Sequence, residues 1–378
     1  MINRCVLIAL LTLALAVIPA GLLLACAIPV FRYALERWEP YAFEGVLFHK
    51  EPLDAAATNA IQGLEKAHAN LGIWAVNVSQ PMQDDLKALW EKEQERAQLP
   101  WLMVRYPYPF WQALKTNQLW YGKFDQATLN RITDSPARKK VAEEILKGCS
   151  AVWVFVESGN KAEDDAKAKV LQDHLAVIKK DVKLPQESYQ EASQLPLAGV
   201  VPLKIDFSVI RVSRKDPAEK FFVDMLLKTE KDSEKNADKP MAFPIFGQGR
   251  AIWGLVGDGI NTDMIEQACA FILGFCSCEI KDMNPGTDML INADWRGAVT
   301  NAAVNRSENT LYDCEVEGDI PDDLDGAFYR VGPDAQYPLV PRNIPFDGEG
   351  HESMFRIKDG KVNYRSRYIK NERYNAQA

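Results

Sequence analysis

Two cysteines separated by a single serine form the clearest candidate for chemistry in this chain. Cys276 and Cys278 follow a predicted helix, Thr262 to Phe275, which carries Cys269 on its apolar face. Thiols at this spacing at a helix end can form a redox pair or provide two soft metal ligands. The alternative is that they are small buried residues leading into the next strand. The alternative is favoured, because no second cysteine pair completes a zinc site.

Other residue types that catalysis or ligand binding requires form no recognisable set. The chain has four histidines, and no Ser/His/Asp arrangement or pair of carboxylates can be singled out. Two glycine-rich stretches lack the Gly-Lys-Ser or Gly-Lys-Thr that a phosphate loop requires. The net charge of -8 provides no positive field for phosphates. Nucleic acid is therefore not expected as a partner.

The N-terminus carries an almost unbroken apolar run from Val6 to Phe31. Such a run is typical of an export signal or an anchor, so residues 1–27 are predicted to be a signal peptide or membrane anchor. Three interpretations fit. Cys26 ends a stretch that resembles a bacterial lipobox and would be acylated; it also lies in a small-x-small cleavage site; and about 20 apolar residues can span a bilayer uncleaved. All three predict an extracytoplasmic protein of the bacterial cell envelope, with a membrane and an unidentified envelope protein as partners.

The middle of the chain alternates short apolar strands with amphipathic helices, which is typical of an α/β fold. The alternation extends from about residue 39 to 183 and returns from 197 to 295. In both blocks the order is strand, helix, strand, hairpin-like segment, helix. This order resembles a pair of thioredoxin-like modules.

One helix of the first block has readable ends. Asp134 or Ser135 can cap its start, Pro136 suits its first turn, and Gly148 can stop it. The run Ala151 to Glu157 follows. Because this run is apolar on both faces, we expect a central strand covered by helices on both sides.

Thioredoxin oxidoreductases carry Cys-x-x-Cys where a first strand meets a first helix. The predicted strand Ile73 to Val78 is followed by residues 79–85, which contain no cysteine. If the fold is thioredoxin-like, this module lacks the oxidoreductase chemistry. Residues 40–295 are then expected to act as a binding or accessory scaffold, with thiol redox at Cys276 and Cys278 as a further alternative.

The last part of the chain, about 311–378, contains several linked motifs. Glu317 to Gly326 precedes Ala-Phe-Tyr-Arg-Val-Gly-Pro-Asp, and Ile344 to Gly350 precedes Met354 to Gly360, whose Asp-Gly is a two-residue hairpin signal. In this order and spacing the motifs resemble the opening segment of carotenoid-cleavage oxygenases and their stilbene-cleaving relatives. The signature residues are Gly318, Pro321, Leu324, Gly326, Tyr329, Arg330, Gly332, Pro333, Asp347, Gly348, Gly350, Asp359 and Gly360.

The resemblance implies that residues 311–378 are an incomplete all-β segment, the first blade of a β-propeller, joined through a linker at 296–310. The family holds one non-haem iron(II) with four histidines and uses dioxygen to cleave a conjugated double bond. No ligand is carried over, because His351 falls in a turn before the first ligand position and the other histidines precede the segment. Iron(II) and a carotenoid, apocarotenoid or stilbene-like alkene are implied only for a full-length oxygenase.

Together these patterns predict a chimera. An exported, membrane-tethered α/β protein with two modules would be joined to a truncated, inactive oxygenase segment through a deletion, a frameshift or an incomplete gene model. The alternative is an extracytoplasmic, thioredoxin-like accessory lipoprotein.

Overall fold

The described part of the chain divides into two compact units. The structure, a computed structural model, describes residues 27–372 apart from 66, 113, 115, 194, 199, 231–232, 234, 277–279, 281–285, 296, 299–309, 313, 315, 317–318, 322, 333–349 and 371. Unit 1 comprises the described residues up to Ser193 together with Leu203–Ile291, and unit 2 comprises Gln194–Pro202 together with Asn292–Ala378. Three sheets organise these residues, and none of them closes into a barrel among the described strands. The predicted α/β class is therefore confirmed.

Unit 1 contains two sheets with helices between their strands. Its elements are α1 (Val30–Arg37), β1 (Phe43–His49), α2 (Ala55–Glu65), β2 (Leu71–Asn77), α3 (Asp84–Glu93), β3 (Trp101–Arg105), β4 (Gln118–Lys123), α4 (Gln126–Thr133), α5 (Pro136–Leu146), β5 (Ala151–Glu157), α6 (Lys161–Asp181), α7 (Gln186–Ala192), β6 (Phe207–Ser213), α8 (Lys220–Thr229), β7 (Met241–Phe246), β8 (Arg250–Ala251), β9 (Leu255–Val256), α9 (Thr262–Leu273) and β10 (Thr287–Asp288).

The first sheet has the strand order β2-β1-β3-β4. β1 pairs parallel with β2 and antiparallel with β3, and β3 pairs antiparallel with β4. A parallel pair needs a crossover connection, which α2 provides between β1 and β2. The central strand β3 is buried at every position, whereas the edge strand β2 is mostly exposed or half-buried.

The second sheet has the order β10-β8-β7-β5-β6, with β9 also pairing with β7. β5 is buried at every position except the last, as expected for a strand covered on both faces. However, β5 pairs with β6 and β7 and not with the strands of the first sheet. The predicted first module, 39–183, therefore contains strands of both sheets, because a strand's burial pattern does not specify its partners.

The segment from Ala27 to Arg37 is part of the second sheet's core. Val30 and Phe31 are 0% and 4% exposed, and Val30 N donates to Gly274 O at 2.8 Å. Cys276 N donates to Ile28 O at 2.9 Å. Ala27–Phe31, the end of the apolar run predicted as a signal or anchor, is thus built into the globular fold. Residues 1–26, with the predicted lipidation site Cys26, lie outside the described residues.

Unit 2 contains an antiparallel sheet of four strands in the order β11-β14-β13-β12. The hairpin between β13 and β14 turns through Asp359 and Gly360, whose φ angles are 51° and 71°. Both values lie in the left-handed region that a two-residue hairpin turn requires, so the predicted hairpin is confirmed. The strands are β11 (Thr310–Leu311), β12 (Gly326–Gly332), β13 (His351–Lys358) and β14 (Lys361–Tyr368).

Candidate functional site

Several of the described signature residues lie at turns and strand ends of the third sheet. Gly326 and Gly332 begin and end β12, and Asp359 with Gly360 closes the β13–β14 hairpin. Gly350 has a φ of 83°, and its carbonyl oxygen accepts a hydrogen bond from Ile369 N at 2.9 Å. Of these glycines, Gly350 and Gly360 have positive φ angles, which glycine adopts without strain. Of the other signature residues, Pro321, Leu324, Tyr329 and Arg330 are described, whereas Gly318, Pro333, Asp347 and Gly348 lie outside the described residues.

Strand β12 exposes apolar side chains on both of its faces. Phe328, Tyr329 and Val331 are 61%, 56% and 61% exposed, and neighbouring strand residues point to opposite faces. β12 also ends the strand order, so its outer edge is unpaired among the described strands. We call β12 the open strand. An unpaired apolar strand is typical of a sheet that packs against further protein.

Arg356 and one aromatic contact hold strands of the third sheet together. Arg356 Nη1 donates to Gly326 O at 2.8 Å, and its guanidinium also pairs with Asp325. The ring of Phe355 lies 4.9 Å from that of Tyr364 between centroids. The third sheet is therefore stabilised within β12–β14 even though the open strand is exposed.

The described residues do not fit an iron site held by four histidines. His351 is the first residue of β13 and not part of a turn, and its ring lies edge-on against Tyr368 with centroids 4.8 Å apart. His49 and His174 lie in β1 and α6 of unit 1, and His68 follows α2. Among the residues that the structure describes, no three His, Cys, Asp or Glu side chains form a group that could hold a metal ion.

The described cysteines of unit 1 are buried. Cys276 and Cys269 are 0% and 1% exposed, and Cys278 lies outside the described residues. Burial raises the pKa of Cys269 to about 12 and that of Cys149 to about 11. Because the thiolate is the reactive form, burial works against redox or metal chemistry at these sites. The pairing of Cys276 with Cys278 stays a prediction.

We expect Cys269 to react with iodoacetamide at pH 8 on the order of 1000-fold more slowly than an ordinary thiol, because a pKa of about 12 instead of 9.0 leaves far less thiolate. The rate should rise as the pH approaches that pKa. Timed labelling followed by peptide mass mapping measures it. Cys314, which is half-buried in unit 2, is the internal control. Equal labelling of Cys269 and Cys314 in the native chain would contradict the expectation.

A buried ion pair that sequence reasoning missed lies in the second sheet of unit 1 and contacts the segment that leads into β1. Arg250 in β8 and Asp288 in β10 are both 2% exposed. Arg250 Nε donates to Asp288 Oδ1 and Nη2 to Oδ2, each at 2.9 Å, and Tyr41 N donates to Oδ2 at 2.8 Å. The rings of Trp38 and Phe110 lie 5.4 and 5.7 Å from the guanidinium carbon. Because both carboxylate oxygens accept hydrogen bonds, this arrangement favours stability over proton transfer.

Comparison with known proteins identifies the last segment. Residues 302–378 match the family model described as RPE65, retinal pigment epithelial membrane protein. Resveratrol cleavage oxygenase 1 of Aspergillus fumigatus is 44% identical over 70 residues, which cover 18% of this chain and 14% of the relative. Lignostilbene-alpha,beta-dioxygenase isozyme III of Sphingomonas paucimobilis is 45% identical over 75 residues, 19% of this chain and 15% of the relative.

Among solved structures, the lignostilbene dioxygenase of Pseudomonas brassicacearum is 41% identical over 19% of this chain and 15% of its own, with a TM-score of 0.18. The resemblance of the last segment to the carotenoid-cleavage oxygenase family is thus confirmed by sequence. The matching segment spans only 14% and 15% of the two curated relatives.

The predicted membrane-anchored location in the cell envelope is wrong, because the relatives that match are named as oxygenases and not as envelope proteins. Within the part of the chain that the structure describes, no helix has the length and apolar character needed to cross a membrane.

Proposed function

We propose that the third sheet is the opening β-sheet of an oxygenase that cleaves the conjugated double bond of a stilbene-like or carotenoid-derived alkene. The observation that carries this proposal is the placement of the family's signature glycines at the turns and strand ends of one antiparallel sheet. The open strand supports it, because a blade of a propeller packs against neighbouring blades. The apolar residues of β12 provide such a contact surface.

The chain is inactive as an oxygenase in this form. Iron(II), when bound in such an enzyme, supplies the activation of dioxygen. The described residues of this chain contribute a stable sheet and a packing surface, and they provide no set of ligands for the metal. Cleavage therefore depends on histidines other than those described.

A segment exchange tests the proposed role of the sheet. Residues 302–378 replace the matching segment of lignostilbene-alpha,beta-dioxygenase isozyme III, to which they are 45% identical over 75 residues. We expect this chimera to bind iron and to cleave its stilbene within about tenfold of the parent's kcat/KM, since the segment supplies packing and not ligands. Iron is measured by mass spectrometry and cleavage by aldehyde formation.

The control is the same chimera with Phe328→Ser and Val331→Ser, which removes apolar contact area from the open strand. It should lose stability and activity together. A chimera that folds and binds iron but cleaves nothing would contradict the proposed role. Stoichiometric iron and alkene cleavage by the unmodified chain would instead contradict its proposed inactivity.

A second candidate function concerns unit 1, which would act as a binding scaffold of two thioredoxin-like modules. The strand order β2-β1-β3-β4 recurs as β6-β5-β7-β8, with the same parallel and antiparallel pairings. In this arrangement β1 is the first strand of one module and β5 is the first strand of the other. The Cys-x-x-Cys position would therefore follow β1 and β5, and not β2. The residues after them, Lys50 to Asp54 and Ser158 to Lys161, contain no cysteine. This favours binding over thiol redox, and rapid labelling of Cys276 in the experiment above would argue the opposite.

A further inference from the structure

Unit 1 contains a cavity of about 140 Å³ where β4, α4 and the start of α8 meet. Trp120 and Phe221 provide aromatic walls, and Ile132 provides an aliphatic one. Sites for drug-sized ligands measure about 300–1,000 Å³, whereas a cavity of about 150 Å³ accommodates benzene. The size and walls of this cavity therefore suit one aromatic ring.

Charged side chains line the same cavity: Arg131 and Lys220 are positive and Asp224 is negative. Lys220 Nζ lies 2.9 Å from Asp224 Oδ2, so these two charges compensate each other. Arg131 Nη2 donates to Thr128 Oγ1, an uncharged acceptor, at 2.9 Å. Arg131 is exposed. The pKa of Asp125 is lowered by hydrogen bonds from Thr128 and also by the positive charge of Arg131. The exposed guanidinium of Arg131 is therefore accessible to a ligand carboxylate at the cavity.

A buried arginine outside the cavity holds its walls in position. Arg138 is 0% exposed, and its guanidinium carbon lies 5.4 Å from the ring centroid of Phe221. Its Nη1 donates to Ile132 O at 2.6 Å and its Nη2 to Arg131 O at 2.9 Å. The Arg138 side chain thus contacts the Phe221 wall and also holds the backbone of Arg131, the cationic residue of the cavity. A preformed site loses less entropy when a ligand binds.

We propose that this cavity binds a small aromatic carboxylate, with the ring against Trp120 and Phe221 and the carboxylate on Arg131. Guanidinium groups bind carboxylates through charge-assisted, often bidentate hydrogen bonds. Aromatic side chains favour a planar ring by contact area and by stacking. The inference is independent of the oxygenase proposal, since every residue that it uses belongs to unit 1.

Isothermal titration calorimetry with benzoate tests the proposal on the full chain. We expect saturable binding at one site with a Kd of about 1 mM or tighter, as is reasonable for a ligand of this size. Benzyl alcohol, which keeps the ring but lacks the charge, should bind on the order of tenfold more weakly. Arg131→Gln should weaken benzoate binding by a similar factor and leave benzyl alcohol unchanged.

Two further variants test whether the binding heat comes from this cavity. Arg37→Gln removes an exposed arginine at the end of α1 and should change neither affinity. Ala218→Phe enlarges a residue of the cavity wall and should abolish binding of both compounds. The proposal is overturned by equal affinities for benzoate and benzyl alcohol, by an unchanged benzoate affinity in Arg131→Gln or Ala218→Phe, or by the absence of saturable heat at about 10 mM benzoate.

Discussion

Replacing Asp288 with alanine is expected to lower the free energy of unfolding of unit 1 by about 3–5 kcal/mol, because it removes the hydrogen-bonded anionic partner of a buried guanidinium. Arg250 and Asp288 are both 2% exposed, so solvent screens their interaction little. Tyr41 N would also lose its acceptor. The change affects the contact between the two sheets of unit 1, because Tyr41 leads into β1 whereas Arg250 and Asp288 lie in the second sheet.

Urea unfolding followed by tryptophan fluorescence measures this effect, and Trp38 lies close enough to Arg250 to report on it. The double variant Arg250→Met with Asp288→Leu should recover most of the loss, since apolar residues of similar size tolerate such a site. The matched control is Asp173→Ala, which removes the exposed Lys169–Asp173 pair and should change stability little. A loss below about 1 kcal/mol for Asp288→Ala would mean that Arg250 finds other compensation.

The ends of a helix can be predicted well from nearby residues, because the residues that cap a helix lie next to it in the sequence. Ser135 Oγ accepts a hydrogen bond from Arg138 N at 3.4 Å, Pro136 begins α5, and Gly148 has a φ of 96° where the chain leaves the helix. These three residues perform the roles that their types suggest. The strand β5 likewise has the predicted bounds, Ala151–Glu157.

Pairing between distant segments could not be predicted in the same way. The apolar pattern of β5 indicates burial on both faces, yet the same pattern suits any central strand, and β5 pairs with β6 and β7. Arg250 and Asp288 are 38 positions apart, and each alone resembles an ordinary surface charge in the sequence. Their burial follows from the sheet topology, which a single sequence does not reveal.

The same difference between local and long-range information separates the candidate sites that could be predicted from those that could not. The turn at Asp359 and Gly360 could be predicted, because an Asp-Gly pair between two apolar runs is a local hairpin signal. The cavity could not, since its lining residues on α4 and α8 are about 90 positions apart in the sequence. The thiols were recognised as candidates from their spacing, but their burial, which raises the pKa of Cys269, depends on packing around α9.

A chain that begins at Glu39, the predicted start of the first module, is expected to lose the folded second sheet, whereas one that begins at Ala27 should keep it. The shorter chain lacks α1, in which Val30, Phe31, Ala34 and Leu35 are no more than 4% exposed. Burying each large apolar side chain contributes about 1.5–3 kcal/mol. Their combined loss is comparable to the whole stability of a typical domain, about 5–15 kcal/mol.

Hydrogen exchange of the β5 and β7 amides measures this loss directly, and the chain from Ala27 is the matched control. Gly247→Ala offers a test without truncation, because a Cβ at Gly247 would lie 2.6 Å from Ala34 Cβ and Gly247 has a φ of 59°. It should weaken protection of the same strands by forcing α1 away from the turn after β7. Equal hydrogen-exchange protection of β5 and β7 in both truncated chains would show that α1 covers the second sheet but is not needed for it to fold. Selective loss in the shorter chain and in Gly247→Ala would show that the last part of the apolar run is needed for the second sheet to fold.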